Sequence, residues 1–324
     1  MSKDERNEIA ILRSKGYSLR AIATALGRGA GTIGDELKRN AVSGSYTPSK
    51  AHHKALIRRK AAKFQGKKIV NNQALRNFIE AELLKQQSPM AIAGRLAIGL
   101  DGLPYASRDT IEEYIHSVHG RRIEYELKLL KASQKRRGRK KRLSVEPLGM
   151  RKGIDERPSV ITNRERVGDV EADFIVSGKT GSGYLLTATD RKLRYGLIRK
   201  LLPVTIANME RAFLDLKAAF GELKSITTDN DLLFRHHERL EALLGVPIYF
   251  CDPYSSWQKG SIENYNKHVR KYIKKGSDIS QYDEAYLDFV QARLNSRFMD
   301  VLDYKTPAEC LEKHRQKPKN KTTR

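Results

Sequence analysis

The segment GDVEADFIVSGKTGSGYLLTATD, residues 168–190, says most about the fold. Residues 169–176 alternate in the manner of a strand. SGKTGSG at 177–183 supplies the small residues of a hairpin, and 183–190 and 194–201 read as two further strands. Three consecutive strands predict an antiparallel meander. Asp173 falls in the middle of the first strand, where a carboxylate facing a core is costly without a metal or a partner.

Outward from this meander, residues 205–220 place Ile206, Met209, Phe213, Leu216 and Phe220 on one helical stripe. A short strand at 225–228, a helix at 234–244 and a strand at 246–250 follow. WQKGSIENYNKHVRKYIKKG, residues 257–276, then has helical periodicity through Ile262, Val269 and Ile273. The order βββαβαβα is that of an RNase H-like fold, a mixed-sheet α/β domain expected over 165–318.

The region ahead of it is all-α. Residues 1–46 read as three short helices: Ile9, Ile11 and Leu12 mark the first, and Leu19, Ile22, Ala23 and Leu26 the second. The third turns Ile33 and Leu37 inward and leaves Arg28, Thr32, Asp35, Lys38 and Arg39 on or near its outer face. This is the helix-turn-helix layout, with Arg28, Thr32, Lys38 and Arg39 as candidate DNA contacts. A three-helix bundle of purely structural role has similar periodicity; the basic helix end and the net charge favour DNA, and Asp35 weighs against it.

A second helical unit spans 72–119, with Ser88-Pro89 opening one helix and Ser107 another bearing Ile111, Tyr114, Ile115 and Val118. It fits a second DNA reader or a packing and dimerisation bundle equally. Residues 131–160 read as a basic linker around KRRGRKKR at 135–142, too densely like-charged to fold on itself.

The 324 residues, 39% hydrophobic, suffice for two or three domains with real cores. Lys and Arg number 62 against 38 Asp and Glu, a formal charge of +24 that makes nucleic acid the first partner to consider. Cys251 and Cys310 form neither a disulfide framework nor a zinc pair. No stretch reaches the ~20 apolar residues of a membrane span. The expected location is the cytoplasm of a bacterium, with the nucleoid and away from membranes.

Three acids stand in distinctive places: Asp173 in the first strand, Asp229 directly after the fourth, and Glu263 on the last helix. On a continuous helix, Glu263, Lys267, Arg270 and Lys274 share one face, a carboxylate among cations able to hold phosphates. Cutting and rejoining a phosphodiester needs charge on both the attacking and leaving oxygens, which two divalent ions supply. Three carboxylates, one bridging both, suit two Mg2+ ions, with Mn2+ as a substitute. Ordinary surface or capping roles are the alternative for these acids. Asp231 and Asp252 lie close by, and His236 and His237 lack the partners of a zinc site and are read as helix surface.

At these residues the chain resembles the IS-thirty family of insertion-sequence transposases. Its acidic blocks stand here as GDVEADFIVSG (168–178), TTDNDLLF (227–234) and PYSSWQKGSIENYNKHVRKYIKKGSD (253–278). The interval from Asp229 to Glu263 and the basic Arg270 also match, as do GYSLRAIATALGR, SPMAIAGRL, DERPSVITNRERVGD and LNSRFMDVLDYKTPAECL. Val170 replaces the tryptophan usual before the first block's glutamate, and the third N-terminal helix has glycines at 29, 31 and 34 where serines are common.

The resemblance implies a DDE recombinase. It would bind terminal inverted repeats through its N-terminal region, cut the 3' ends with water, and join them to target DNA as a homodimer or larger homo-oligomer. It also implies Asp173, Asp229 and Glu263 as catalytic metal ligands and Arg270 as a DNA contact. A DNA-binding regulator without catalysis and an RNase H-like nuclease acting on RNA-DNA hybrids are the competing functions.

Overall fold

The computed structural model describes residues 1–41, 44–62, 66–132, 151–252 and 255–316. The chain forms two compact units, Met1–Asn71 and Asn72–Arg324. The first contains α1 (Lys3–Ser14), α2 (Leu19–Ala25), α3 (Ala30–Asn40), α4 (Pro48–Ala62) and α5 (Lys67–Val70). Ser2 and Ser18 cap α1 and α2 by accepting backbone N–H groups. Ile9, Ile22, Ala23 and Ile33 close the core, whereas Ile11 is 47% exposed because the inward stripe of α1 runs through Ile9 and Leu12. The unit continues past Tyr46, since α4 packs on α1. Buried Arg6 fixes α3 to α1, donating from Nε to Glu36 Oε1 at 2.7 Å and from Nη2 to Oε2 at 3.2 Å.

The second unit opens with α6 (Gln73–Leu84), α7 (Pro89–Ala97), α8 (Arg108–Ile115) and α9 (Arg121–Ala132). The stripe expected on α8 stops early: the helix ends at Ile115, and Val118 is 70% exposed. The inner side of this layer is committed to the end of the same chain. Arg95 donates to Asp101 Oδ2 at 2.9 Å and to Glu309 Oε1 at 2.7 Å, and its guanidinium lies 4.9 Å over the Phe298 ring. A Cβ on Gly94 would come within 2.1 Å of the Tyr304 ring, so glycine is what lets the two pieces meet.

The basic stretch 135–142 lies outside the described residues. The last part of the expected linker is folded instead of free: Lys152–Gly153 is a strand, and Ser159–Thr162 is helix α10. Backbone pairing available at the sheet edge outweighs the local composition there.

Six strands follow one order across the sheet. They are β1 (Lys152–Gly153), β2 (Asp169–Val176), β3 (Tyr184–Asp190), β4 (Gly196–Leu201), β5 (Ser225–Thr228) and β6 (Ile248–Phe250), ordered β1-β6-β5-β2-β3-β4. β2, β3 and β4 form the antiparallel meander, while β5, β6 and β1 add parallel strands beyond β2. With α11 (Ile206–Phe220), α12 (His237–Leu244), α13 (Gly260–Val269), α14 (Glu284–Asn295) and α15 (Pro307–Gln316), this is a mixed sheet of RNase H-like arrangement.

Alternation along β2 assigns its residues to two sides. Val170 and Ala172 join Phe213, Leu216, Leu240 and Leu244 in the core beneath α11 and α12. Ile175 joins Ile262, Val269, Leu287 and Val290 beneath α13 and α14. On that second side β2 also carries Glu171, which is 0% exposed.

Glu171 accepts from the backbone N–H groups of Ser261 at 2.8 Å and Ile262 at 2.9 Å, and pairs with Arg191 Nη1. The N-cap residue of α13, Lys259, makes no side-chain cap of its own. A carboxylate on a neighbouring strand therefore satisfies the orphan donors and meets the positive end of the helix. Arg191 continues the chain of bonds to the carbonyls of Ile161 and Thr162 in α10.

One expected feature is corrected. α13 ends at Val269, so Lys274 does not extend the face of Glu263, Lys267 and Arg270. Arg270 caps the helix and a turn follows, which lets Ile273 and Ile279 enter the α13–α14 core.

Two substitutions test these joints. Glu171→Gln leaves the buried Arg191 without its counter-charge and should lower stability by about 3 kcal/mol, read as a lower urea midpoint. Arg95→Ala should cost a similar amount, about 3 kcal/mol, because it unpairs Asp101 and Glu309 together. An unchanged midpoint in either variant contradicts the corresponding joint.

Candidate active site

Asp173 sits on β2 opposite Thr187, two residues along from Glu171 and facing α13. Asp229 directly follows β5, which lies beside β2. The two carboxylates meet through one cation. Lys259 Nζ is 3.2 Å from Asp173 Oδ1 and 3.3 Å from Asp229 Oδ2, and the lysine side chain is only 7% exposed. Asn266 Nδ2 donates to the other Asp173 oxygen at 2.8 Å.

The electrostatics follow from this burial. Burial pushes the Asp173 carboxyl above the usual carboxylate range; Lys259 opposes the shift and Asp229 adds to it. Burial alone would depress the Lys259 ammonium, but Asp173 and Asp229 together hold it above its ordinary value. Asp229 Oδ1 and Asn266 Oδ1 are buried without a hydrogen-bond partner. The space beside the carboxylates is thus lined by hard oxygen donors left short of positive partners, a donor set that a divalent cation fits.

Glu263 is not drawn into this pair. It lies on the first turn of α13 with its Oε1 3.2 Å from Lys267 Nζ, and it is 46% exposed. Among the described residues no group of three acidic, histidine or cysteine side chains stands close enough to hold one ion. Lys259, Glu263 and Asn266 nevertheless fall at i, i+4 and i+7, so Glu263 stands between the two residues of that face that touch Asp173.

The other candidate residues are distributed as follows. Arg270 is half-buried: burial lowers its pKa and the charge of Asp173 raises it, while Nη1 donates to the Lys274 carbonyl at 3.4 Å. Lys274 is exposed on the turn beyond the helix. In the N-terminal unit, Thr32, Lys38 and Arg39 are exposed along α3, but Arg28 precedes that helix and is paired with Glu5 at 2.8 Å. Asp231 caps a 3-10 turn by accepting from Leu233 N, and Asp252 accepts from Gln258, so each has a local structural role.

Sequence reasoning missed Lys259, Asn266 and Glu171. The signal available for the first two was their i−4 and i+3 spacing about Glu263. For Glu171 it was a second carboxylate on the face of β2 that carries Asp173.

A family model described as a helix-turn-helix domain matches residues 1–40. Over 95% of its length the chain is 35% identical to the transposase for insertion sequence element IS4351 of Bacteroides fragilis, covering 94% of that protein. It is 32% identical to the transposase InsI for IS30A of Escherichia coli (strain K12), covering 97% of this chain and 83% of the relative. For the transposase for IS1086 of Cupriavidus metallidurans the identity is 30%, with 96% and 94% covered. Among solved structures, the catalytic core domain of BIV integrase is similar at 18% identity and a TM-score of 0.37, covering 46% of this chain and 95% of that one. A simian T-cell lymphotropic virus intasome chain gives 16% identity and a TM-score of 0.40, with 69% and 73% covered. The identity along nearly the whole chain shows that this protein belongs to the IS30 family of insertion-sequence transposases.

Proposed function

We propose that the chain is a DDE transposase that cuts and joins double-stranded DNA at the ends of its element, with Asp173, Asp229 and Glu263 as its catalytic acids. One observation carries the reading: Asp173 and Asp229 share the Lys259 ammonium and leave neighbouring buried oxygens without partners. An ammonium held between two carboxylates marks a place where positive charge is stabilised.

Asp173 and Asp229 would hold Mg2+, with Glu263 joining them once its side chain leaves Lys267. Two bound ions supply the charge that balances the attacking and leaving oxygens in an in-line displacement. The protein's own contribution is positioning. β2 and β5 present the aspartates side by side, Glu171 fixes the helix that bears Glu263, and Arg270, at the end of α13, would meet the incoming backbone. Exposed Thr32, Lys38 and Arg39 offer α3 to the duplex. Because an element has two ends to be joined, the working form is a homo-oligomer with one acid set per end.

The decisive assay is nicking of a labelled duplex containing the element end. Wild type should cut only with Mg2+ or Mn2+. Asp173→Asn, Asp229→Asn and Glu263→Gln should bind the duplex and lose cutting on the order of a thousandfold, matching several kcal/mol of charge stabilisation. Binding without cutting by wild type under every divalent ion would instead make the chain a regulator. Lys259→Met removes the resident cation, so Mg2+ should bind the free protein on the order of tenfold more tightly, as removal of one partly screened competing contact implies. Titration calorimetry without DNA reads this directly, and unchanged affinity would mean that Lys259 does not compete for the site.

A further inference from the structure

A second cavity borders α13. It has a volume of about 470 Å³, and Arg164, Arg194, Lys267, His268 and Arg297 bring its basic groups together. Two arginines in this region are matched to acids: Arg166 pairs with Asp169 and Arg191 with Glu171. Among the described residues Arg164, Arg194 and Arg297 have no such partner. Arg194 Nη1 donates only to the Ser261 hydroxyl, at 2.6 Å. Arg297 is half-buried, which lowers its pKa, and the group that opposes the shift is the Tyr272 phenol and not a carboxylate. The one acid at the rim, Asp300, is turned to its own backbone, accepting from Val301 N at 2.8 Å.

Partly buried guanidinium groups without an ion-pair partner, such as those of Arg194 and Arg297, are costly unless an anion completes them, and exposed Arg164 adds its charge to the lining. The neutral lining, Ser261 and Asn264, adds short polar groups. Burial first, and then Arg297, Lys271 and Lys267, push the His268 pKa down to about 3, so the ring stays neutral. Lys267 joins this cavity to the acids, since its Nζ also lies 3.2 Å from Glu263 Oε1.

We propose that this cavity is a phosphodiester site, in which Arg164, Arg194 and Arg297 hold a backbone phosphate of the DNA strand that runs past Glu263. The inference rests on the reading of the chain as an enzyme acting on DNA. Planar guanidinium groups suit the paired oxygens of a phosphate, and residues of α13 both line this cavity and reach the acids.

The test is the salt dependence of duplex binding by the full chain, followed with a short labelled duplex between about 50 and 200 mM salt. Each phosphate contact adds about 0.9 to the slope of log affinity against log salt. Arg297→Gln and Arg164→Gln should each reduce the slope by part of that amount, and the double variant by about all of it, weakening binding roughly fivefold to tenfold near 0.1 M salt. Arg297→Lys should restore the slope, because it keeps the charge.

Arg164 is exposed, so its variant remains informative if Arg297→Gln does not fold. Unchanged slopes in the folded variants overturn the proposal. So does a result in which inorganic phosphate raises the melting temperature of wild type, but not of Arg297→Gln, while the DNA slopes do not move, since the cavity then takes free anions only. Metal-dependent nicking is scored separately: its absence in wild type defeats the transposase reading, while the slopes still report on the cavity.

Discussion

The catalytic region depends on one buried carboxylate. Glu171 lies inside the protein with no solvent contact, and it is tolerable there because two backbone donors and one guanidinium surround it. Each partner comes from a different part of the chain: the donors open α13, and Arg191 follows β3 and reaches back to α10. A single charge thereby sets the distance between the strand that carries Asp173 and the helix that carries Glu263, Lys259 and Asn266. Hydrophobic packing of Ile175 against Ile262 and Val269 presses the same two elements together but is non-directional. The carboxylate adds the register. Tyr265 completes the fit by lying on Gly196, where a Cβ would come within 2.0 Å of its ring.

The same division of labour recurs in the outer layers. Arg6 and Glu36 join helices in the N-terminal unit, and Arg95 with Asp101 and Glu309 joins the α6–α9 layer to the end of the chain. In a protein of formal charge +24, carboxylates are the scarcer partner, and several of them are spent inside on fixing geometry.

Much of the fold was legible because its elements follow simple periods. The alternation of 169–176 gave β2, the stripe from Ile206 to Phe220 gave α11, and the serine caps gave the starts of α2, α7 and α8. What escaped was held by distant contacts. β1 is two residues long and exists only because β6 offers it an edge, so no local pattern announces it. The end of α13 at Val269 is invisible to a periodicity that Ile273 continues, because Ile273 is buried from a turn and not from a helix. Asp173 stood out as a carboxylate inside a strand. Lys259 did not, since a lysine in a basic sequence looks like solvated surface until the sheet places two acids against it.

The position of Lys259 also bears on the order in which partners can arrive. Two bare carboxylates would present two negative charges to an approaching DNA strand, itself dense in negative charge. With the ammonium between them, Asp173 and Asp229 present a net charge of about one, at short range and largely shielded from dissolved salt by burial. If the chain acts on DNA as proposed, this provisional neutraliser would let a duplex settle along α13 before any metal ion is in place.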